Sequence, residues 1–348
     1  MRASRNIYKD DVDFATLARH SPDFAKYLKS NGQLDFSDPN AVRQLTKSLL
    51  RRDFDLTVDI PENRLCPPRN RMLQHIPTAR LRYTPTMEIR SNSLDYTMCN
   101  PPFYTSREEM VASAEAKERP PFSACTGAEV EMVTHGGEIT FVSAMIEESL
   151  QLRKQVIWYT SMLGRLSSVS VLVEKLIECG NRNYAVTEFV QGSKTKRWAI
   201  AWSWSDLRPT VSVARTISNF PKHLLPFPAE YTFDIPNGSI DVVSEKLDAE
   251  LSSLNVQWLW RKNLATGVGF AMENVWSRQA RRKMHSVAGS TNKVEIEESK
   301  AALGFKVQVR KEGIENEGVR VLVRWLKGRD SVLFESFCGM VKRKLEGK

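Results

Sequence analysis

A chain of 348 residues, 41% hydrophobic and 26% charged, has room for two domains or one large one and falls in the ordinary globular range. Its formal net charge of +9 suits a partner that carries phosphates. No apolar run approaches the ~20 residues of a membrane span. The opening Met1-Arg2-Ala3-Ser4-Arg5-Asn6 lacks the apolar core of a secretory signal. The five cysteines (66, 99, 125, 179 and 338) are scattered without a CxxC pair, so neither a disulfide framework nor a metal site is expected.

In chain order, residues 1–35 read as two short helices, with stripes Phe14/Leu17/Ala18 and Phe24/Tyr27/Leu28, and Pro22 opens the second. A firmer helix follows, capped by Asp38 with Pro39 first and Val42, Leu45 and Leu49 inward. Basic residues stud this region, among them Arg5, Lys9, Lys47 and Arg51, either as a solvated face or as a cap gripping RNA phosphates. Residues 56–61 alternate like a short strand. Residues 61–92 carry prolines and arginines and present neither helix nor strand.

Leu94 to Cys99 reads as a buried strand that runs into Asn100-Pro101-Pro102-Phe103. Each Pro fixes its own φ and pushes the preceding residue away from the helical region. Asn100 is therefore held extended, its carboxamide offering one acceptor and two donors. Phe103 adds an aromatic face. A carboxamide beside a ring suits a flat ligand with an exocyclic amine, such as adenine; the plain alternative is a strand-ending turn.

Residues 104–134 are polar, contain Pro120-Pro121, and read as a long loop. His135-Gly136-Gly137 precedes a helix striped by Phe141, Val142, Met145, Ile146 and Leu150. A strand over 155–162 follows, then a helix over 167–179 ended by Gly180, then a hairpin whose arms flank residues 191–196. That order predicts an open α/β sheet, whose ligands sit beyond the carboxyl ends of its strands, where Asn100 lies. After a Pro-spotted linker at 208–228, strands are expected at 230–235, 256–260, 269–275, 305–309 and 319–325, with helices at 239–254 and 331–345. Arg281 and Arg282, in a basic run after Trp276, either touch RNA or are solvated.

Several stretches in order are similar to a known family: Arg5 to Asp10, Asp35 to Arg43, Leu56 to Pro61, Asn100 to Phe103, Gly136-Gly137-Glu138, Trp158 to Gly164, Thr187-Glu188-Phe189, Gln191-Gly192 and Arg197 to Ser203. The chain resembles the N6-adenosine RNA methyltransferases of U6 small nuclear RNA, relatives of bacterial ribosomal-RNA adenine methyltransferases. The resemblance implies an α/β, Rossmann-like class I methyltransferase sheet over 56–207. It also implies an N-terminal helical basic module over 1–55 and a smaller C-terminal α+β domain over 229–348. The implied methyl donor is S-adenosylmethionine (S-adenosyl-L-methionine), the implied partner a structured RNA, and the implied location the nucleus, with the cytoplasm as alternative.

By the same resemblance the motif Asn100-Pro101-Pro102-Phe103 holds the target base: Asn100 accepts from the adenine amine, the Pro101 carbonyl assists, and Phe103 stacks on the flipped ring. An amine of this kind is a poor nucleophile, so its alignment is the main task. The N-terminal basic module and Lys194, Lys196 and Arg197 border the implied RNA groove.

The departure from the family lies between Ile60 and Asn100. Relatives place there a first strand, a Gly-rich loop for the methionine moiety and a second strand ending in an acidic residue. Here residues 61–99 hold no glycine, and one strand–helix–strand unit alone takes ~30 residues or more. Roughly half of the parallel sheet is expected to be missing, and no cofactor-binding residue is assigned. Two accounts stand: an incomplete or mis-joined product of a true methyltransferase gene, or a paralogue that binds RNA without catalysis.

Overall fold

The computed structural model describes residues 12–60, 94–115, 129–191, 195–280, 297–311 and 318–347. The expectations for 61–92, for Arg5 and Lys9, for Lys194, and for Arg281 and Arg282 fall outside them. The chain divides into two compact units, Met1–Lys175 with Val190–Ile200, and Leu176–Phe189 with Ala201–Lys348.

The first unit starts with α1 (Phe14–His20), α2 (Pro22–Ala25) and α3 (Pro39–Phe54). Asp13 caps α1 by accepting from the amides of Ala15 and Thr16, and Asp38 caps α3 by accepting from Asn40. Their apolar faces close on one another as a small core of Leu17, Phe24, Leu34, Ala41, Leu45 and Leu49. The strand expected over 56–61 is, among the described residues, a single bridge at Val58.

The next elements are β1 (Leu94–Tyr96), α4 (Arg107–Glu115), α5 (Glu129–Met132), α6 (Gly137–Leu152), β2 (Val156–Leu163), α7 (Leu166–Glu178), β3 (Tyr184–Gln191) and β4 (Thr195–Trp202). A short α8 (Val211–Ala214) and β5 (Arg215–Thr216) complete the first sheet, whose order is β1-β2-β4-β3-β5. β1 is parallel to β2, with Leu94 opposite Val156 and Tyr96 opposite Trp158, and β3 is parallel to β5. Parallel strands joined through helices give a mixed α/β fold, Rossmann-like in kind.

Three expectations are corrected here. The stretch after Phe103 is not a bare loop, because Glu108 and Glu109 in the first turn favour the short helix α4. The linker at 208–228 contributes α8 and β5. β1 is not buried: Leu94 is 54% exposed and Tyr96 63%.

In the second unit a five-stranded sheet runs β6-β10-β9-β8-β7, built from β6 (Glu230–Pro236), β7 (Gln257–Arg261), β8 (Thr266–Ala271), β9 (Leu303–Lys311) and β10 (Gly318–Lys327). Its neighbours pair antiparallel. Alternating residues Val319, Val321, Val323 and Trp325 turn inward with Phe305 and Val307, as period-2 patterning requires. Helices α9 (Ile240–Ser252) and α10 (Ser331–Glu346) supply Leu247, Leu251, Phe334 and Phe337 to the same core. The last strand expected before the basic run begins earlier than its apolar pattern indicated, at Thr266.

Candidate nucleic-acid base site

The ladder that starts at β1 outlasts the strand proper. The amide of Thr97 donates to the Trp158 carbonyl at 2.9 Å, that of Cys99 to Thr160 at 3.0 Å, and that of Met162 to Cys99 at 2.9 Å. The backbone is thus held parallel to β2 up to the residue before Asn100. Pro101 and Pro102 are buried and Asn100 is exposed. Two fixed rings anchored in the fold deliver the Asn100 carboxamide at a strand end, facing solvent.

Beyond the prolines the chain is pinned again. The Tyr104 amide donates to the Met132 carbonyl at 3.1 Å, and the Thr134 amide to Tyr104 at 3.0 Å. Phe103 is partly exposed between these two anchors. The Arg197 guanidinium, carried by β4, lies 5.7 Å from the centre of the Phe103 ring, within the ~6 Å reach of a cation–π contact.

Around the ring, Gly136 and Gly137 both adopt positive φ, +74° and +63°, a region where a side chain is strained. Glu138 is 4% exposed, and its carboxylate accepts from the Gly164 amide at 2.6 Å and from the Arg165 amide at 3.2 Å. Glu109 accepts from the Thr105 amide and hydroxyl, at 2.7 and 2.6 Å, and from the Arg165 guanidinium at 2.5 Å. Those Thr105 bonds and the Arg165 charge hold the Glu109 carboxyl down at about 2. Burial pushes the Cys99 thiol up, only partly offset by a hydrogen bond with Ser161. A thiol kept protonated is no nucleophile.

Of the cationic residues expected at an RNA groove, Lys47 forms an ion pair with Asp59 at 3.5 Å. Arg51 stands exposed in the last turn of α3. Lys196 is exposed, and Arg197 donates to the Lys196 carbonyl while covering Phe103. Sequence reading found Asn100 to Phe103 and Arg197 but assigned no role to Glu109, Gly164 or Arg165. The Gly-Gly-Glu run at the start of α6 was the one local signal for Glu138.

The arrangement is suited to holding a planar base: an exposed carboxamide, a stiff double-proline support and a ring backed by a cation. No group of three or more His, Cys, Asp or Glu able to hold a metal occurs among the described residues. No helix among them is long and apolar enough to cross a membrane.

The sequence profile of a family described as RNA methyltransferase matches residues 2–79 and 84–206. The U6 small nuclear RNA (adenine-(43)-N(6))-methyltransferase of Schizosaccharomyces pombe is 27% identical over 389 residues, spanning 90% of this chain and 96% of its own length. The mouse RNA N(6)-adenosine-methyltransferase METTL16 is 32% identical over 284 residues, which take in 58% of this chain and 51% of the mouse protein. Since 58% of 348 residues is about 202, about 80 positions of that alignment face gaps in this chain. A crystal structure of the human METTL16 catalytic domain with the MAT2A 3′UTR hairpin 6 matches 59% of this chain and 99% of its own, at 32% identity and a TM-score of 0.46.

Proposed function

Because the chain belongs to the RNA methyltransferase family, we propose that it acts on the exocyclic N6 of an adenosine in a structured small RNA, such as U6 small nuclear RNA, and works in the nucleus. The observation that carries this is the Asn100-Pro101-Pro102-Phe103 turn, exposed at its carboxamide and anchored at its prolines. An adenine taken out of its stack meets two groups there. The Asn100 carbonyl oxygen accepts from the amine, with the Pro101 carbonyl as a second acceptor, while Phe103 stacks on the ring and Pro102 keeps the pair from folding back. Arg197, above the same ring, and Lys196 beside it face the phosphates that flank the flipped nucleotide. Lys47 and Arg51, with Arg5, Lys9, Lys194, Arg281 and Arg282, add cationic charge for the RNA backbone.

S-adenosylmethionine is the cofactor that family membership implies. Among the described residues no site for it is assembled. The 61–99 stretch has no glycine to let backbone approach a methionine moiety. β1 is the edge of its sheet among the described residues, its Leu94 and Tyr96 bare where a neighbouring strand would cover them. A second reading stands on that same edge: an RNA-binding paralogue that holds adenosine without methylating it.

Calorimetric titration of S-adenosylmethionine, together with transfer of labelled methyl to a U6-type hairpin, separates the two. Donor binding with N6-methyladenosine in the product upholds the methyltransferase. Hairpin binding without donor binding upholds the non-catalytic reading, and absence of both overturns the two together.

A further inference from the structure

Phe103 rests against a seat whose parts come from three places in the chain. A Cβ on Gly164 would stand 3.1 Å from the ring's Cδ1 and 3.3 Å from the Glu138 carboxylate, so both groups close on the same glycine. A Cβ on Gly137 would stand 3.3 Å from the Phe103 carbonyl oxygen and 3.2 Å from the Thr105 methyl. Glu138 is the next residue after Gly137, and its buried carboxylate binds the amides of Gly164 and Arg165. A buried carboxylate satisfied by two backbone donors is costly to displace and leaves little freedom to the groups it joins.

We propose that Glu138 is a positioning residue for the base-stacking ring. By tying the turn between β2 and α7 to the start of α6, it keeps Gly164 flat beneath Phe103 and so sets the height and tilt of the aromatic face. Glu109 secures the other flank, joining Thr105, two residues past Phe103, to the Arg165 side chain. The proposal rests on the reading of Phe103 as a base platform for its purpose, but the positioning is a property of the protein without RNA.

Two measurements on the whole chain decide it. In the first, nuclear magnetic resonance follows the Phe103 ring by selective carbon labelling, and hydrogen exchange follows the Gly164 and Arg165 amides. In Glu138→Ala both amides should exchange about tenfold faster or more, and the ring signal should shift and broaden. Glu138→Gln, which keeps a carbonyl acceptor, should restore most of the ring signal. Gly164→Ala should move the ring while the Arg165 amide stays protected, which serves if Glu138→Ala does not fold. An unchanged Phe103 signal in folded Glu138→Ala or in Gly164→Ala overturns the proposal.

In the second, the target adenine of the hairpin is replaced by 2-aminopurine, whose emission is quenched when it stacks. Emission from the bound RNA should rise about twofold or more in Glu138→Ala, while the dissociation constant, governed by phosphate contacts, changes less than about threefold. Equal quenching in the two proteins counts against Glu138. If the unaltered protein binds no hairpin, the functional reading fails, and the ring signal still decides the role of Glu138.

Discussion

The Asn100 carboxamide stands out because two prolines stiffen its turn while the ladder to β2 carries the backbone up to Cys99. The part played by the prolines acts on the residues beside them and was legible in the sequence. Glu138 was not, because the amides it binds lie 26 and 27 positions away. Arg197 was read as a cation of the RNA groove, but its place over Phe103 was not, because the two meet across the fold. Two tests belong at this scale. Gly137→Ala should cost about 1–3 kcal/mol, from a side chain forced into positive φ against the Phe103 carbonyl, as read by urea unfolding. Glu109 should behave as a carboxylate whose folded pKa, about 2, lies below its ordinary value of 4.5. Its contribution to stability is then complete above pH 4.5 and fades as pH falls toward 2. In paired denaturant titrations the gap between the natural protein and Glu109→Gln should narrow over that interval and stay constant above it.

Among the elements, those with a cap and a full apolar stripe were read close to their observed bounds: α3 behind Asp38, α7 ahead of Gly180, and α10. The misses share a physical cause. In α4, Arg107–Glu115, Val111 and Ala112 are exposed, so no core-facing apolar stripe marks the helix in the sequence. β5 is two residues long and exists because β3 offers it partners at Val186 and Thr187, which no local pattern encodes. The cap of α10 is measurable: Asp330 accepts from the amides of Val332 and Leu333 at 2.8 and 3.2 Å, so Asp330→Ala should cost about 1 kcal/mol in unfolding free energy. Leu172, fully buried in α7, sets the contrast with β1. Leu172→Ala should cost about 2–5 kcal/mol, whereas Tyr96→Thr on the exposed strand should shift stability by less than about 0.5 kcal/mol.

At the scale of the whole molecule, the sequence disclosed the family and a glycine-free stretch over 61–99, and among the described residues β1 stands at the edge of its sheet. The core of the second unit followed from alternation alone. What lies at its margin did not: Arg208, whose guanidinium sits 4.0 Å from the centre of the Trp325 ring and donates to the carbonyls of Gly328, Arg329 and Arg182. Burial pulls its pKa down to about 10. A planar fork stacked on an indole is not matched by a lysine, so Arg208→Lys should lower the melting temperature even though the charge is kept. With a net charge of +9, RNA affinity should fall steeply with salt. Lys196→Ala should flatten the slope of log affinity against log salt concentration by about one, and an unchanged slope would remove Lys196 from the RNA surface.

Among the described residues the Asn100 turn hangs on β2 and on the chain that follows it. If that turn is the adenosine site proposed above, a protein that holds the base without using a methyl donor should, in an extract containing an active relative, compete for the same adenosine and lower methylation in proportion to its concentration.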